Sequence, residues 1–357
     1  MIEKKFVNFV RKIYKTRARI ELHEPSFKKI DHVLINDTIK SGFVSSIGKN
    51  VEAFSKKLSN FTKSKYVVPV VNGTSAIYLS LYALGISHRD EVIVPSYTFV
   101  GTCNPIKYLG ANPIFIDIDE NNLSLSPFKL EEFLKKNTSL TKRGLINKIT
   151  KKIVKACIVV HPYGLLAESL DLKKICKKYN IHLIEDAAEA LGSYKNNKHA
   201  GLEGDMSILS FNGNKIITTG GGGAILTQSY NYFKKLKHIS TTSLIKKKLN
   251  YNYYDQLGFN LRLPNINASL GVSQLQKIHK DLSKKKIIHN KYTNFFKETD
   301  IKLFSSLKKE DKSNYWLNTI KFKSINSKKN FLYYCIKKKV NVKPGWIPVH
   351  HFKYFKN

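Results

Sequence analysis

Hydrophobic and polar positions along the chain fall into two regimes. Up to about residue 65 the pattern is one of short helices and loops, with residues 51–61 apolar at helical spacing. From there, short apolar runs alternate with amphipathic stretches. Residues 66–71, 91–94, 113–116, 152–160, 182–184, 208–211 and 224–226 read as strands. Residues 74–84, 100–109, 126–135 and 170–179 read as helices. Strands separated by helices predict a mostly parallel sheet covered on both faces. After about residue 230 the character changes. Residues 267–296 predict a long lysine-rich helix, 315–322 alternate as a strand does, and 328–338 are helical. A smaller α+β unit is expected there. No repeat and no low-complexity linker interrupts the chain.

Composition narrows the class. With 357 residues, 42% of them hydrophobic, the chain can bury a substantial core and form one large domain plus a smaller one. No run of about 18 apolar residues exists, so no transmembrane helix is expected. Residues 1–19 alternate basic and apolar positions and lack a secretory apolar core. Cys103, Cys157, Cys176 and Cys335 form no C-x-x-C pair. That argues against a disulfide framework and against a metal site, and fits a reducing cytoplasm. The formal charge of +35 resembles a nucleic-acid signal, but only six of the 61 basic residues are arginine, and the lysines are spread over the whole length. A general lysine-for-arginine bias accounts for this, so no nucleic-acid partner is expected. The positive field would still gather a phosphate-bearing substrate.

Four segments carry candidate chemistry. Lys215 lies between an apolar stretch and the glycines 220–223. Partial burial of a lysine favours the neutral amine, a nucleophile able to form a Schiff base; the alternative is a surface lysine in a glycine-rich turn. Asn72-Gly73-Thr74-Ser75 follows a strand and opens a helix, where free amides suit a phosphate; the alternative is a plain turn capped by Thr74 or Ser75. Glu185-Asp186-Ala187-Ala188-Glu189 follows another strand, as an acid that could keep a pyridine nitrogen protonated or as an acidic cap. Pro95-Ser96-Tyr97-Thr98-Phe99 offers a stacking ring or core aromatics. Each falls at the C-terminal end of a strand, where parallel-sheet proteins place ligands. Together, in the order cradle, platform, acid and lysine, they are the parts that pyridoxal 5′-phosphate requires.

These motifs, with the HPYG segment at 161–164, SFNGNK at 210–215 and GFNLRLPNINASLG at 258–271, resemble the DegT/DnrJ-type nucleotide-sugar aminotransferases over nearly the whole chain. The segments Leu22-His23-Glu24-Pro25 and 42–48 further resemble the subgroup acting on UDP-linked 4-keto-6-deoxy-N-acetylhexosamines in bacillosamine and legionaminic acid synthesis. The resemblance implies an α/β, aspartate-aminotransferase-like fold (fold type I): a large cofactor-binding domain over 1–235 and a smaller α+β domain over 236–357. It implies catalytic roles for Lys215 and Asp186, the latter against the pyridinium nitrogen. Phe99 would stack on the cofactor ring, and Gly73, Thr74 and Ser210 would hold its phosphate. Asn260 would join them from the partner subunit of a cytoplasmic homodimer, with Arg262 facing the same cleft. Glu189 would stand beside the ring hydroxyl, where many relatives have glutamine. The implied activity moves an amino group from L-glutamate to a nucleotide-linked 4-keto-6-deoxy sugar for surface-glycan synthesis. The alternatives are a GDP- or dTDP-linked substrate, or a non-catalytic sensor of sugar or cofactor. A sugar dehydratase would carry histidine in place of Lys215. Gly221 stands where many relatives carry glutamate. Relatives continue past the equivalent of Asn357 with a closing segment, so truncation of the small domain is expected.

Overall fold

The computed structural model describes residues 2–248, 251–305 and 310–355. Three helices come first: α1 (Ile2–Tyr14), α2 (Lys29–Lys40) and α3 (Lys49–Thr62). There follow β1 (Tyr66–Val70), α4 (Gly73–Ala83), β2 (Asp90–Pro95), α5 (Val100–Tyr108), β3 (Asn112–Ile116) and α6 (Pro127–Asn137). Next come β4 (Thr138–Thr141), β5 (Gly144–Asn147), β6 (Ile153–Val160), α7 (Ser169–Lys178) and β7 (His182–Asp186). A small hairpin of β8 (Tyr194–Lys195) and β9 (Lys198–His199) leads to β10 (Met206–Ser210), β11 (Gly223–Thr227) and α8 (Tyr230–Ser240). The remainder holds β12 (Leu244–Lys248), β13 (Tyr251–Tyr254), α9 (Asn265–Phe296), β14 (Lys302–Leu303), β15 (Ile320–Lys321) and α10 (Ile325–Lys337).

The main sheet runs β1-β11-β10-β7-β6-β2-β3, with β5 on β6 and β4 on β5. Neighbours from β10 to β3 are parallel, and β11 is antiparallel to both β1 and β10. The expected mostly parallel sheet is therefore present. Its strands are continuous apolar runs because both faces are covered. In β2, Val92 and Val94 face one core, with α4, α5 and α8, while Ile93 faces the opposite one, with α6 and α7. In β6, Ala156 and Ile158 join the first core, and Cys157 and Val159 the second. Towards β11 the opposite face is covered by α3 and the first half of α9. There α9 approaches so closely that a Cβ on Gly271 would lie 2.5 Å from the Phe54 ring.

The N-terminal and C-terminal elements share a fourth core. Phe6, Val7 and Val10 of α1 pack with Phe296 at the end of α9 and with Phe331 and Cys335 of α10. A backbone bridge between Ile20 and Val340 extends this contact. Spanning 32 residues, or about 48 Å, α9 runs from the sheet to this core.

The strand expected over residues 315–322 is a correction. Only Ile320–Lys321 pairs, with Lys302–Leu303. The preceding segment docks onto the sheet-bearing part instead. Asn314 Nδ2 donates to the carbonyls of Glu189 (2.8 Å) and Leu191 (3.0 Å), and Tyr315 adopts φ 51°. The hairpins β4–β5, β8–β9 and β12–β13 had no counterpart in the sequence pattern, because their strands are short and largely polar. Among the described residues no helix is long and apolar enough to cross a membrane.

Candidate active site

Register places the chemistry. In the parallel pairing, Asp186 lies opposite Val160 on one side and Ile208 on the other. The ends of β7 and β10 and the start of α4 therefore converge at one edge of the sheet. Gly73, Thr74, Phe99, Asp186, Glu189, Ser210 and Lys215 all line a single cavity there, about 740 Å³ in volume. Of the residues expected in the site, Asn260 and Arg262 do not line it. Asn260 is exposed, and the Arg262 Nε is buried without a hydrogen-bond partner among the described residues.

The cradle depends on glycines. Asn72 caps α4, its Oδ1 accepting from the Ser75 amide at 2.7 Å. Thr74 and Ser75, expected as alternative caps, are thereby released, and Thr74 lines the cavity. A Cβ on Gly73 would sit 3.2 Å from Ser210 Cβ, and one on Gly223 only 2.5 Å from the Asn72 carbonyl carbon. Glycine at both positions lets three backbones meet around the helix N-terminus, leaving amides available to an anion. Gly101 has a matching role: its Cβ would fall 2.8 Å from the Phe99 ring and 3.0 Å from Thr74 Oγ1. The ring can therefore fold over the start of α5, although Phe99 remains 57% exposed.

Asp186 is buried, and burial raises its pKa from the ordinary carboxylate value against opposing hydrogen bonds. Thr102 Oγ1 donates to its Oδ2 at 2.7 Å, and the Ala188 amide to its Oδ1 at 3.1 Å. Because the Thr102 proton is committed, the 2.8 Å contact with Thr98 has Thr98 as donor. This relay was not predicted from sequence. Beneath it, His161 Nδ1 accepts from the Ala167 amide at 3.2 Å, so Nε2 carries the proton offered to Glu185 at 3.0 Å. Burial opposes ionisation of Glu185, but His161 and the Gly204 amide hold its pKa at about 2.

Lys215 lies in the loop after β10, with Nζ 3.1 Å from Glu189 Oε1 and 4.1 Å from the Trp316 ring centroid. Glu189 Oε2 accepts from the Tyr163 amide at 2.7 Å, which Tyr163 presents by adopting φ 59°. Burial raises the Glu189 pKa, and Lys215 opposes that shift. The Lys215 amine is therefore held between a carboxylate and an indole, which burial alone would not provide. Trp316 is itself fixed, its Nε1 donating to the Asn214 carbonyl at 2.6 Å. Asn314, two positions earlier, needs the glycine of the HPYG segment, since a Cβ on Gly164 would be 1.9 Å from Asn314 Oδ1. Trp316 had no sequence signal as a site residue beyond its rarity, one of two tryptophans in the chain. The other, Trp346, stacks on Tyr163 at 4.5 Å and also lines the cavity.

Pyridoxal 5′-phosphate fits these residues. The glycine-lined helix N-terminus suits a phosphate, and a buried carboxylate with a raised pKa gains from a protonated ring nitrogen. A lysine amine opens on the same cavity.

Comparison with known proteins agrees. The sequence pattern of the DegT/DnrJ/EryC1/StrS aminotransferase family matches residues 26–357. The chain is 32% identical to a GDP-perosamine synthase of Escherichia coli O157:H7, covering 93% of this chain and 85% of that protein. It is 31% identical to a UDP-4-amino-4,6-dideoxy-N-acetyl-beta-L-altrosamine transaminase of Campylobacter jejuni, covering 87% and 79%. Its structure resembles Helicobacter pylori PseC, an aminotransferase of pseudoaminic acid biosynthesis, with a TM-score of 0.84 at 26% identity over 95% of this chain and 87% of that one. The architecture is thus the expected aspartate-aminotransferase-like one, and the chain belongs to the DegT/DnrJ/EryC1/StrS aminotransferase family.

Proposed function

We propose that this protein transfers an amino group from L-glutamate to the 4-keto group of a nucleotide-linked 4-keto-6-deoxy sugar, with pyridoxal 5′-phosphate as cofactor. The observation that carries the reading is the presence of Lys215, Asp186 and the Gly73–Thr74–Ser210 cradle in one cavity. The cofactor, when bound, supplies an electron sink for the carbon that bears the transferred nitrogen. Gly73, Thr74 and Ser210 would hold its phosphate, Phe99 its ring face, and Asp186 the proton on its ring nitrogen. Thr102 and Thr98 keep the Asp186 carboxylate oriented. Lys215 Nζ would take the proton from the donor carbon and return it on the other side of the reaction. Glu189 Oε1 and the Trp316 ring hold that amine in place between transfers.

The nucleotide has two readings. The segments at 22–25 and 42–48 favour UDP, and the similarity to GDP-perosamine synthases favours GDP. We also infer a homodimer with a shared cleft, because Asn260 is exposed outside its own chain's cavity and could reach that of a second copy. A cytoplasmic location suits four buried free cysteines and soluble substrates. The test is to incubate the purified protein with cofactor, ¹⁵N-glutamate and each of the UDP-, GDP- and dTDP-linked 4-keto sugars, reading ¹⁵N in the product by mass spectrometry. No transfer to any of them, or wild-type turnover by Lys215→Ala, would overturn the reading.

A further inference from the structure

Three lysines that line the cavity, Lys285, Lys328 and Lys343, are left over after the roles above are assigned, and Lys285 is the one tied to Lys215 through Trp316. Lys285, on α9, lines the same cavity as Lys215. Its Nζ donates to the Trp316 carbonyl at 3.0 Å, which leaves two N–H groups free. Among the described residues it forms no ion pair with a carboxylate; Asp281, one turn earlier on the same helix, acts on it only through its field. Burial lowers the Lys285 pKa to about 8, as expected for an ammonium withdrawn from water without a counter-ion.

His23 follows the cavity-lining Leu22 but does not itself line the cavity. Its Nδ1 is buried and has no hydrogen-bond partner among the described residues. Burial, then Lys285, then Lys215 lower its pKa to about 3, so the ring is neutral and adds no charge to that of the lysines. Trp316 joins the parts: Lys215 lies against its ring and Lys285 against its carbonyl. The two amines are therefore separated by the reach of one tryptophan. Glu189 is already engaged by Lys215 and the Tyr163 amide, and Asp186 by Thr102 and Ala188. Neither is available to neutralise Lys285.

We propose that Lys285 forms an oxyanion subsite beside Lys215, filled by a carboxylate of the amino donor. This rests on the aminotransferase reading. A donor amino acid must bring its nitrogen to the cavity served by Lys215, and its carboxylates lie only a few bonds from that nitrogen. Docking one of them on Lys285 pairs a part-buried cation and fixes the donor without adding a group to the chemistry. The subsite makes Lys285 a specificity-determining residue, selecting an anionic donor over a neutral amine. A phosphate of the nucleotide sugar has the same recognition chemistry and is the competing source of the anion.

Calorimetric titration of the cofactor-loaded protein with succinate and, separately, with inorganic pyrophosphate distinguishes the two. Lys285→Gln should weaken succinate binding by about tenfold and leave pyrophosphate binding unchanged. It should raise the glutamate KM by a similar factor and leave kcat at saturating donor nearly constant. Lys285→Arg should restore most of the succinate affinity, which guards against a folding defect in Lys285→Gln. Loss of pyrophosphate binding alone would overturn the donor assignment in favour of the nucleotide sugar. Unchanged binding of both probes in Lys285→Gln would overturn the subsite itself. Failure of the broader reading is separately visible, because the wild-type protein would then move no nitrogen from glutamate at all.

Discussion

Removing either member of the Lys215–Glu189 pair should expose how strongly each depends on the other. At 3.1 Å and an effective dielectric of about 20, the two charges attract by roughly 5 kcal/mol before desolvation. Only 14% of the lysine side chain and 8% of the glutamate side chain are exposed, so desolvation takes back much of this. The raised pKa of Glu189 says the same: burial outweighs what Lys215 and the Tyr163 amide return. Lys215→Met leaves a buried carboxylate with one backbone donor, and Glu189→Gln leaves a mostly buried ammonium against an indole. Each single change should lower the unfolding free energy of the cofactor-free protein by about 2–3 kcal/mol, below the usual cost of breaking a fully buried pair because the amine keeps some solvent. The double variant should lose much less than the sum, with a coupling of at least about 1.5 kcal/mol. Urea unfolding at neutral pH, followed by circular dichroism, measures all four proteins. A second signature comes from pH. A carboxyl whose folded pKa is raised contributes stability that is fully present below its unfolded value and is lost as pH rises through the folded one. The deficit of Lys215→Met should therefore shrink as the pH is lowered from neutral towards the carboxylate range. Additivity of the two changes within about 0.5 kcal/mol, or a deficit that ignores pH, would refute the pairing argument.

Three further outcomes follow from the site. Thr102→Val removes the hydroxyl donor to Asp186 and should weaken cofactor binding by about tenfold, read by quenching of tryptophan fluorescence during cofactor titration. Gly223→Ala forces a methyl against the Asn72 carbonyl carbon and should cost about 1–3 kcal/mol, seen as a drop in Tm of several degrees. His199 is buried and neutral, with burial bringing its pKa from 6.5 to about 4. The unfolded chain takes up that proton first, so stability should fall between pH 6.5 and 4 with a slope of about 1.4 kcal/mol per pH unit from this group; His199→Gln should remove that increment from the pH profile of unfolding.

The sheet was legible because its strands are buried on both faces and therefore appear as unbroken apolar runs bounded by turns. The residues at strand ends were legible too: Gly73, Asp186 and Lys215 are unusual residue types for the places they occupy. What escaped was whatever depends on contacts distant in sequence. Thr98 and Thr102 look like ordinary residues around a helix start until Asp186, 84 positions after Thr102, is placed beside them. Trp316 and Lys285 sit in stretches whose alternation and lysine content suggest a strand and a solvated helix. The docking of Asn314 on the turn after β7 overrides the strand pattern and brings Trp316 into the cavity, where its carbonyl accepts from Lys285 of α9. The HPYG glycine was visible as a motif, but its reason was not, since that reason is the side chain of Asn314.

The shared core of α1 and α10 has a consequence for biosynthesis. Ile20 pairs with Val340, 320 positions further on. At about 5–20 residues per second, a ribosome needs on the order of half a minute to cover that interval. Throughout it Phe6, Val7 and Val10 lack their final neighbours, while the strands from β1 to β11 have already emerged and can pair. Helix α1 is thus made well before the neighbours on which it is seated. A nascent chain stalled after α8 should display that apolar face to chaperones, although its sheet is already complete.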